Sequence, residues 1–121
     1  MPRTILVVED DDDLRESLAG FLEDAGFSVA TACTGDAALT RIGRGGVALV
    51  LLDLNLPGMS GREFVARRAV PLDDGHVAVV IISGEYGVRD TARALGVAGH
   101  LAKPIYPATL LAIAAELCPQ A

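Results

Sequence analysis

The sequence predicts an α/β domain, one doubly wound parallel sheet of five strands flanked by five helices, as a single unit over residues 1–121. Three observations carry the prediction. The aliphatic runs Ile5–Val8, Ala48–Leu52 and Val77–Ile82 are continuous rather than alternating, as in strands covered on both faces. Helical spacings lie between the runs, giving the order βαβαβαβαβα, which implies parallel strands with right-handed crossovers. Each central run also ends in a polar residue: Glu9-Asp10, Asp53 and Ser83, with Lys103 following the short run Leu101-Ala102. Parallel strands bring such ends to one edge, where open α/β sheets bind ligands.

Ile5–Val8 is the first strand. Leu14, Leu18, Phe21, Leu22 and Ala25 then recur at three and four residues, the stripe of an amphipathic helix. Asp11 or Asp12 caps its start, and Gly26 marks its stop. Phe27–Ala32 alternates weakly and reads as an edge strand. Asp36–Ile42 is the second helix, ended by Gly43, Gly45 and Gly46. Ala48–Leu52 is the third strand. Gly61–Val70 is the third helix, stopped at Pro71. Val77–Ile82 is the fourth strand and Gly87–Leu95 a weaker fourth helix. Gly99–Ala102 is a short last strand, and Pro107–Leu117 a fifth helix with proline in its first turn.

Composition narrows the function. The hydrophobic fraction of 51% supports a packed core, but aromatics are 4% and tryptophan is absent, so aliphatic residues must build it. A formal charge of −6, with no basic stripe, weighs against direct contact with nucleic acid or an anionic membrane surface. Cys33 and Cys118 are too few for a disulfide framework or a zinc site, and both are expected as reduced thiols. No apolar run approaches the roughly 18 residues of a membrane helix. The acids Glu9–Asp13 interrupt the first apolar stretch too early for a signal peptide. A soluble cytoplasmic protein is expected, with no repeat, linker or attached effector domain.

If the first and third strands are neighbours, Glu9, Asp10 and Asp53 lie within a few ångströms of one another. Two bare carboxylates about 4 Å apart repel by about 4 kcal/mol at an effective dielectric of about 20. Such a cluster needs a cation, a shared proton or a lysine. Mg²⁺ suits it, because that ion takes oxygen ligands and keeps several waters. Asp10 and Asp53 would offer carboxylates and Asn55 its backbone carbonyl, with Lys103 facing the same pocket as a point charge. Asp11–Asp13 read as a solvated helix start.

The segments Ile5-Leu-Val-Val-Glu-Asp-Asp, Leu51-Leu-Asp-Leu-Asn-Leu-Pro-Gly-Met-Ser-Gly, Ile82-Ser83 and Lys103-Pro104 resemble the receiver domain of two-component response regulators. The resemblance spans essentially the whole chain, in the family's order. It implies a flavodoxin-like fold with strand order 2-1-3-4-5. It further implies that Asp53 accepts a phosphoryl group from a sensor histidine kinase or a histidine phosphotransfer protein, with Mg²⁺ as cofactor and self-dephosphorylation. Asp10 would be the main metal ligand, and Glu9 would support it through water. Ser83 would be the switch hydroxyl, and Lys103 would pair with the phosphoryl group, its bond to Pro104 being cis. A downstream protein would bind the face of the fourth and fifth helices and last strand. The chemistry is sound on its own terms: carboxylates form acyl phosphates, and positioning with charge neutralisation does most of the catalysis.

The chain departs from the pattern near its end. His100 stands where the family usually has Tyr or Phe as a switch ring; a histidine there is either a pH-sensitive switch or a bystander. Tyr106, three residues after the lysine, is not that ring. Gly84 replaces the usual Ala, and the path from Ser83 to Lys103 is shorter than typical by about two residues. Asn55 and Glu85 flank the approach of water to Asp53. The alternative reading is a phosphorylation-independent receiver-fold interaction module. A nucleotide- or flavin-binding enzyme is disfavoured, since no glycine-rich phosphate loop follows the first strand.

Overall fold

Strands that are apolar on both faces fill the centre of the sheet. In a computed structural model, which describes residues 3–68, 77–84 and 87–119, β1 (Thr4–Val8) and β3 (Val47–Asp53) are buried along their whole length. β4 (Ala78–Ser83) is nearly so. The weakly alternating β2 (Ser28–Ala32) and the short β5 (Gly99–Ala102) form the two edges. The order is β2-β1-β3-β4-β5 and every pairing is parallel, as the sequence led us to expect.

Alternation along each strand divides the core into two layers. Leu6, Val8, Val50, Leu52, Val79 and Ile81 face α2 (Gly35–Gly43), α3 (Gly61–Arg68) and α4 (Val88–Leu95), where they meet Ala38, Ile42, Phe64, Val65, Val88 and Ala92. Ile5, Val7, Leu49, Leu51, Val80 and Ile82 face α1 (Asp12–Asp24) and α5 (Pro107–Leu117), meeting Leu18, Leu22, Leu110 and Ala114. Among the described residues, no helix is long and apolar enough to cross a membrane.

Helix ends follow local chemistry. Asp11 caps α1, its carboxylate accepting the Leu14 N–H at 2.9 Å. Thr34 caps α2 by accepting the Ala37 N–H at 3.1 Å, one residue earlier than the apolar spacing suggested. Gly87 and Gly96 bracket α4, both with positive φ. The expected stop of α3 at Val70 and Pro71 lies outside the described residues. One helix-face expectation needs correction. Leu18, Ala19 and Leu22 make the buried arc of α1, whereas Phe21 is 41% exposed and Ala25 falls at the C-cap. Successive residues turn by about 100°, so Phe21 is rotated away from the arc that Leu22 centres.

Two glycines are required by close approach rather than by φ. A Cβ on Gly61 would meet the Leu54 Cα at 2.8 Å, where the Gly61 N–H donates to the Leu54 carbonyl. A Cβ on Gly35 would meet the Met59 Sδ at 2.6 Å. Backbone cannot yield as a thioether can. Gly61→Ala is therefore expected to cost about 1–3 kcal/mol in a urea unfolding titration, and Gly35→Ala less. The reverse ranking would show that the turn after β3 is looser than drawn.

Candidate functional site

Register, not loop wandering, assembles the polar edge. Val8 sits opposite Leu52, so the residues that follow them, Glu9 and Asp53, come level. Asp53 sits opposite Ile82 and Ser83 opposite Ala102, which places Lys103 one step beyond Ser83. The sheet bonding continues past the last strand: the Lys103 N–H donates to the Ser83 carbonyl at 3.0 Å. The Lys103-Pro104 peptide is cis, as the resemblance implied.

Glu9 is held from both sides. Its N–H donates to the Ala32 carbonyl at 3.1 Å, and its carbonyl accepts the Arg15 guanidinium at 2.9 Å. The side chain is 1% exposed. Its Oε2 accepts the Asp11 N–H at 3.3 Å. Oε1 lies 3.3 Å from the Lys103 Nζ yet makes no aligned hydrogen bond, so it contacts the cation without being saturated by it.

Asp53, the last residue of β3, is 3% exposed. Its Oδ1 accepts the Asn55 N–H at 3.0 Å, and its Oδ2 accepts the Lys103 ammonium at 3.3 Å. One lysine thus bridges two buried carboxylates. Asp10 is exposed, but Glu9, Asp10 and Asp53 each bring an oxygen within 4.8 Å of the others.

Burial pushes the Glu9 carboxyl from its ordinary 4.5 up to about 7, helped by hydrogen bonding to Asp53 and by that residue's charge. Burial alone would also raise Asp53. The hydrogen bonds from Glu9 and the Asn55 N–H, with the charge of Lys103, outweigh burial and hold it below the usual aspartate value. Lys103 is partly desolvated, but the two carboxylates more than compensate and raise it. Below about pH 7 the proton of the pair therefore sits on Glu9, while Asp53 keeps its negative charge.

Of the residues singled out in the sequence, Glu9, Asp10, Asp53 and Lys103 come together, and Ser83, 1% exposed, ends the adjacent strand. Asn55 is exposed in the turn after β3 and supplies its N–H to Asp53. His100 is not in this cluster: it is half-buried in β5 opposite Ile81. Its neighbour Leu101 packs in the α1–α5 layer, so alternation turns His100 to the α4 side. Gly84 is not forced by crowding, since a Cβ there would meet only the Lys103 Cβ, at 3.8 Å. Glu85 lies outside the described residues. Sequence reasoning missed Arg15, whose guanidinium clamps the Glu9 carbonyl and pairs with Asp12. Its place one turn into a helix that starts just after Glu9 was the available signal.

The arrangement offers a partly ionised acid pair, one carboxylate kept anionic and one ammonium, all at the mouth of a sheet edge. Comparison with known proteins places it. The family model of the response regulator receiver domain matches residues 5–115. The cell cycle response regulator CtrA of Brucella ovis is 32% identical over 110 residues, which are 89% of this chain and 47% of that protein. The chain spans from about a third to about half the length of the curated relatives it matches. Among solved structures, the chemotaxis response regulator CheY4 of Vibrio cholerae superposes with a TM-score of 0.86 at 28% identity, covering 97% of this chain and 99% of that one. A Saccharomyces cerevisiae co-crystal of the histidine phosphotransfer protein Ypd1 and the receiver domain of Ssk1 gives 0.86 at 25% identity, covering 96% and 88%. The chain belongs to the response regulator receiver domain family of two-component signalling.

Proposed function

We propose that this receiver is switched by phosphorylation of Asp53, taking the group from a histidine kinase or a histidine phosphotransfer protein. The observation that carries the reading is the anionic Asp53 carboxylate at the open end of β3, with Lys103 at 3.3 Å and two further acids beside it. A carboxylate oxygen of Asp53 attacks phosphorus, the P–N bond of the donor phosphohistidine breaks, and its electron pair returns to the imidazole nitrogen. Lys103 stands where it can neutralise charge on the transferred oxygens. The Ser83 hydroxyl, at the end of the next strand, can donate to one of those oxygens without adding charge. Receivers are not classical enzymes; the domain assists a reaction on itself and its later hydrolysis, with Asn55 beside the path of water.

Receiver domains bind Mg²⁺ through acidic residues, and the residues present fit such an ion. All three acids offer hard oxygen donors, and the buried Glu9 Oε1 lacks an aligned hydrogen-bond donor. Asp10 and Asp53, with the Asn55 carbonyl, would hold the ion, and Glu9 would support it through water. When bound, the ion supplies further neutralisation of the phosphoryl oxygens.

The readout we assign to the face of α4, β5 and α5, where a downstream protein binds. A phosphorylation-independent interaction module is the second reading. It is favoured by His100 on the α4 side of β5 and by the short α4, eight residues between two left-handed glycines. Full activity of Asp53→Ala in the cell would establish that reading and displace the first.

Incubation with Mg²⁺ and a small phosphodonor such as acetyl phosphate should add one phosphoryl group by intact mass, and Asp53→Ala should abolish the gain. No gain in the unmodified chain, or full labelling of the variant, contradicts the proposal. Mg²⁺ affinity should also report the Glu9 proton. Because Glu9 titrates at about 7 and the ion favours its ionised form, affinity should weaken as pH falls below that value. Asp53 is depressed and stays ionised throughout, so it adds no slope there. Isothermal titration at several pH values should show a loss approaching about tenfold per pH unit below 7, with proton release on binding. Glu9→Gln should flatten the dependence; an unchanged slope in that variant would assign the proton elsewhere.

A further inference from the structure

Asp10 stands between two backbone carbonyls that a single residue holds. The Arg15 guanidinium donates to the Glu9 carbonyl at 2.9 Å, and the Arg15 backbone N–H donates to the Asp11 carbonyl, also at 2.9 Å. The second guanidinium nitrogen pairs with Asp12. The Arg15 side chain is 17% exposed against 79% for Asp12, so it reaches inward, under the turn that joins β1 to α1. A planar guanidinium presents these two bonds in one fixed orientation, which an ammonium on a flexible stem does not.

That turn carries two of the three acids suited to Mg²⁺. The Glu9 carbonyl and the Asp10 N–H belong to one planar peptide unit, so a bond to the carbonyl fixes the plane from which the Asp10 side chain departs. On the other side of Glu9, its N–H is fixed by the Ala32 carbonyl of β2. Glu9 is held by burial as well. Asp10 is exposed, so its direction depends on the backbone that carries it.

We infer that Arg15 is a positioning residue for the metal site: by clamping the peptide between Glu9 and Asp10, it keeps the Asp10 carboxylate within reach of Asp53, where the three acids converge. This role rests on the reading of Glu9, Asp10 and Asp53 as the Mg²⁺ site. Charge alone gives the opposite sign. A guanidinium repels a nearby divalent cation, so its removal would tighten binding if charge were its only contribution. Positioning makes its removal weaken binding, as loss of the groups that orient metal ligands does, by about tenfold or more. The sign of the change separates the two roles.

Arg15→Met keeps most of the stem and removes the fork. Isothermal titration with Mg²⁺ should show an affinity roughly tenfold below that of the unmutated chain, with folding checked by urea unfolding. Arg15→Lys retains the charge and can still donate to the carbonyl, so it should lose only roughly threefold. It carries the test alone if Arg15→Met does not fold. In metal-free protein the Asp10 amide nitrogen signal should move in Arg15→Met while those of Ile5–Val8 hold, which places the change in the turn rather than in the sheet. Equal or tighter Mg²⁺ binding by the folded variants overturns the role of Arg15, as does an unmoved Asp10 signal, and both leave the metal reading standing. If the unmutated chain itself binds no Mg²⁺, the metal reading falls and the role of Arg15 with it.

Discussion

Two carboxylates buried beside each other with one ammonium between them are the constraint on which this structure turns. Glu9 and Asp53 are both nearly inaccessible, and Lys103 reaches an oxygen of each at 3.3 Å. One cation cannot fully compensate two buried anions, and an uncompensated buried charge costs several kcal/mol. The site settles this by holding a proton on Glu9 and the charge on Asp53. With Glu9 protonated, Asp53 and Lys103 balance; once Glu9 ionises, above about pH 7, the three groups are one positive charge short, which favours a divalent cation.

The fold serves that arrangement at a distance. β1 and β3 are adjacent and in a register that sets Glu9 level with Asp53, and their complete burial leaves the strands no latitude to slip. Arg15 and Ala32 pin the Glu9 backbone from α1 and β2. Ser83 pins the Lys103 backbone from β4. The cation therefore comes from an edge strand of only four residues, continued by one further sheet bond.

Much of this was legible in the sequence because burial on both faces leaves a plain signature. The runs around Leu6, Val50 and Ile81 read as central strands, and their polar endings marked the edge at which Glu9, Asp53 and Ser83 assemble. Pro107 and the glycines around α4 marked helix ends for the same local reasons that the structure displays. What the sequence hid was orientation. Spacing alone could not say that Phe21 would lie outside the buried arc of α1, since residues one position apart on a helix differ by about 100°. Nor could it separate Glu9 from Asp10: the acids are consecutive, yet one is buried against Lys103 and the other is exposed. Arg15 escaped notice because its partner is a backbone carbonyl, which carries no residue-type signal.

The departures near the end of the chain leave the acidic cluster intact and alter its surroundings. His100 faces the helix that glycines bracket, while the aromatic ring nearest Lys103 along the chain lies three residues beyond it. The central claim is nevertheless electrostatic, that the resting pair Glu9 and Asp53 shares one proton which Glu9 holds. A carbon-13 NMR titration of the side-chain carboxyls in metal-free protein tests it most directly. The account predicts a Glu9 midpoint at about 7 with Asp53 below its ordinary value. A Glu9 midpoint at the ordinary 4.5 would contradict it.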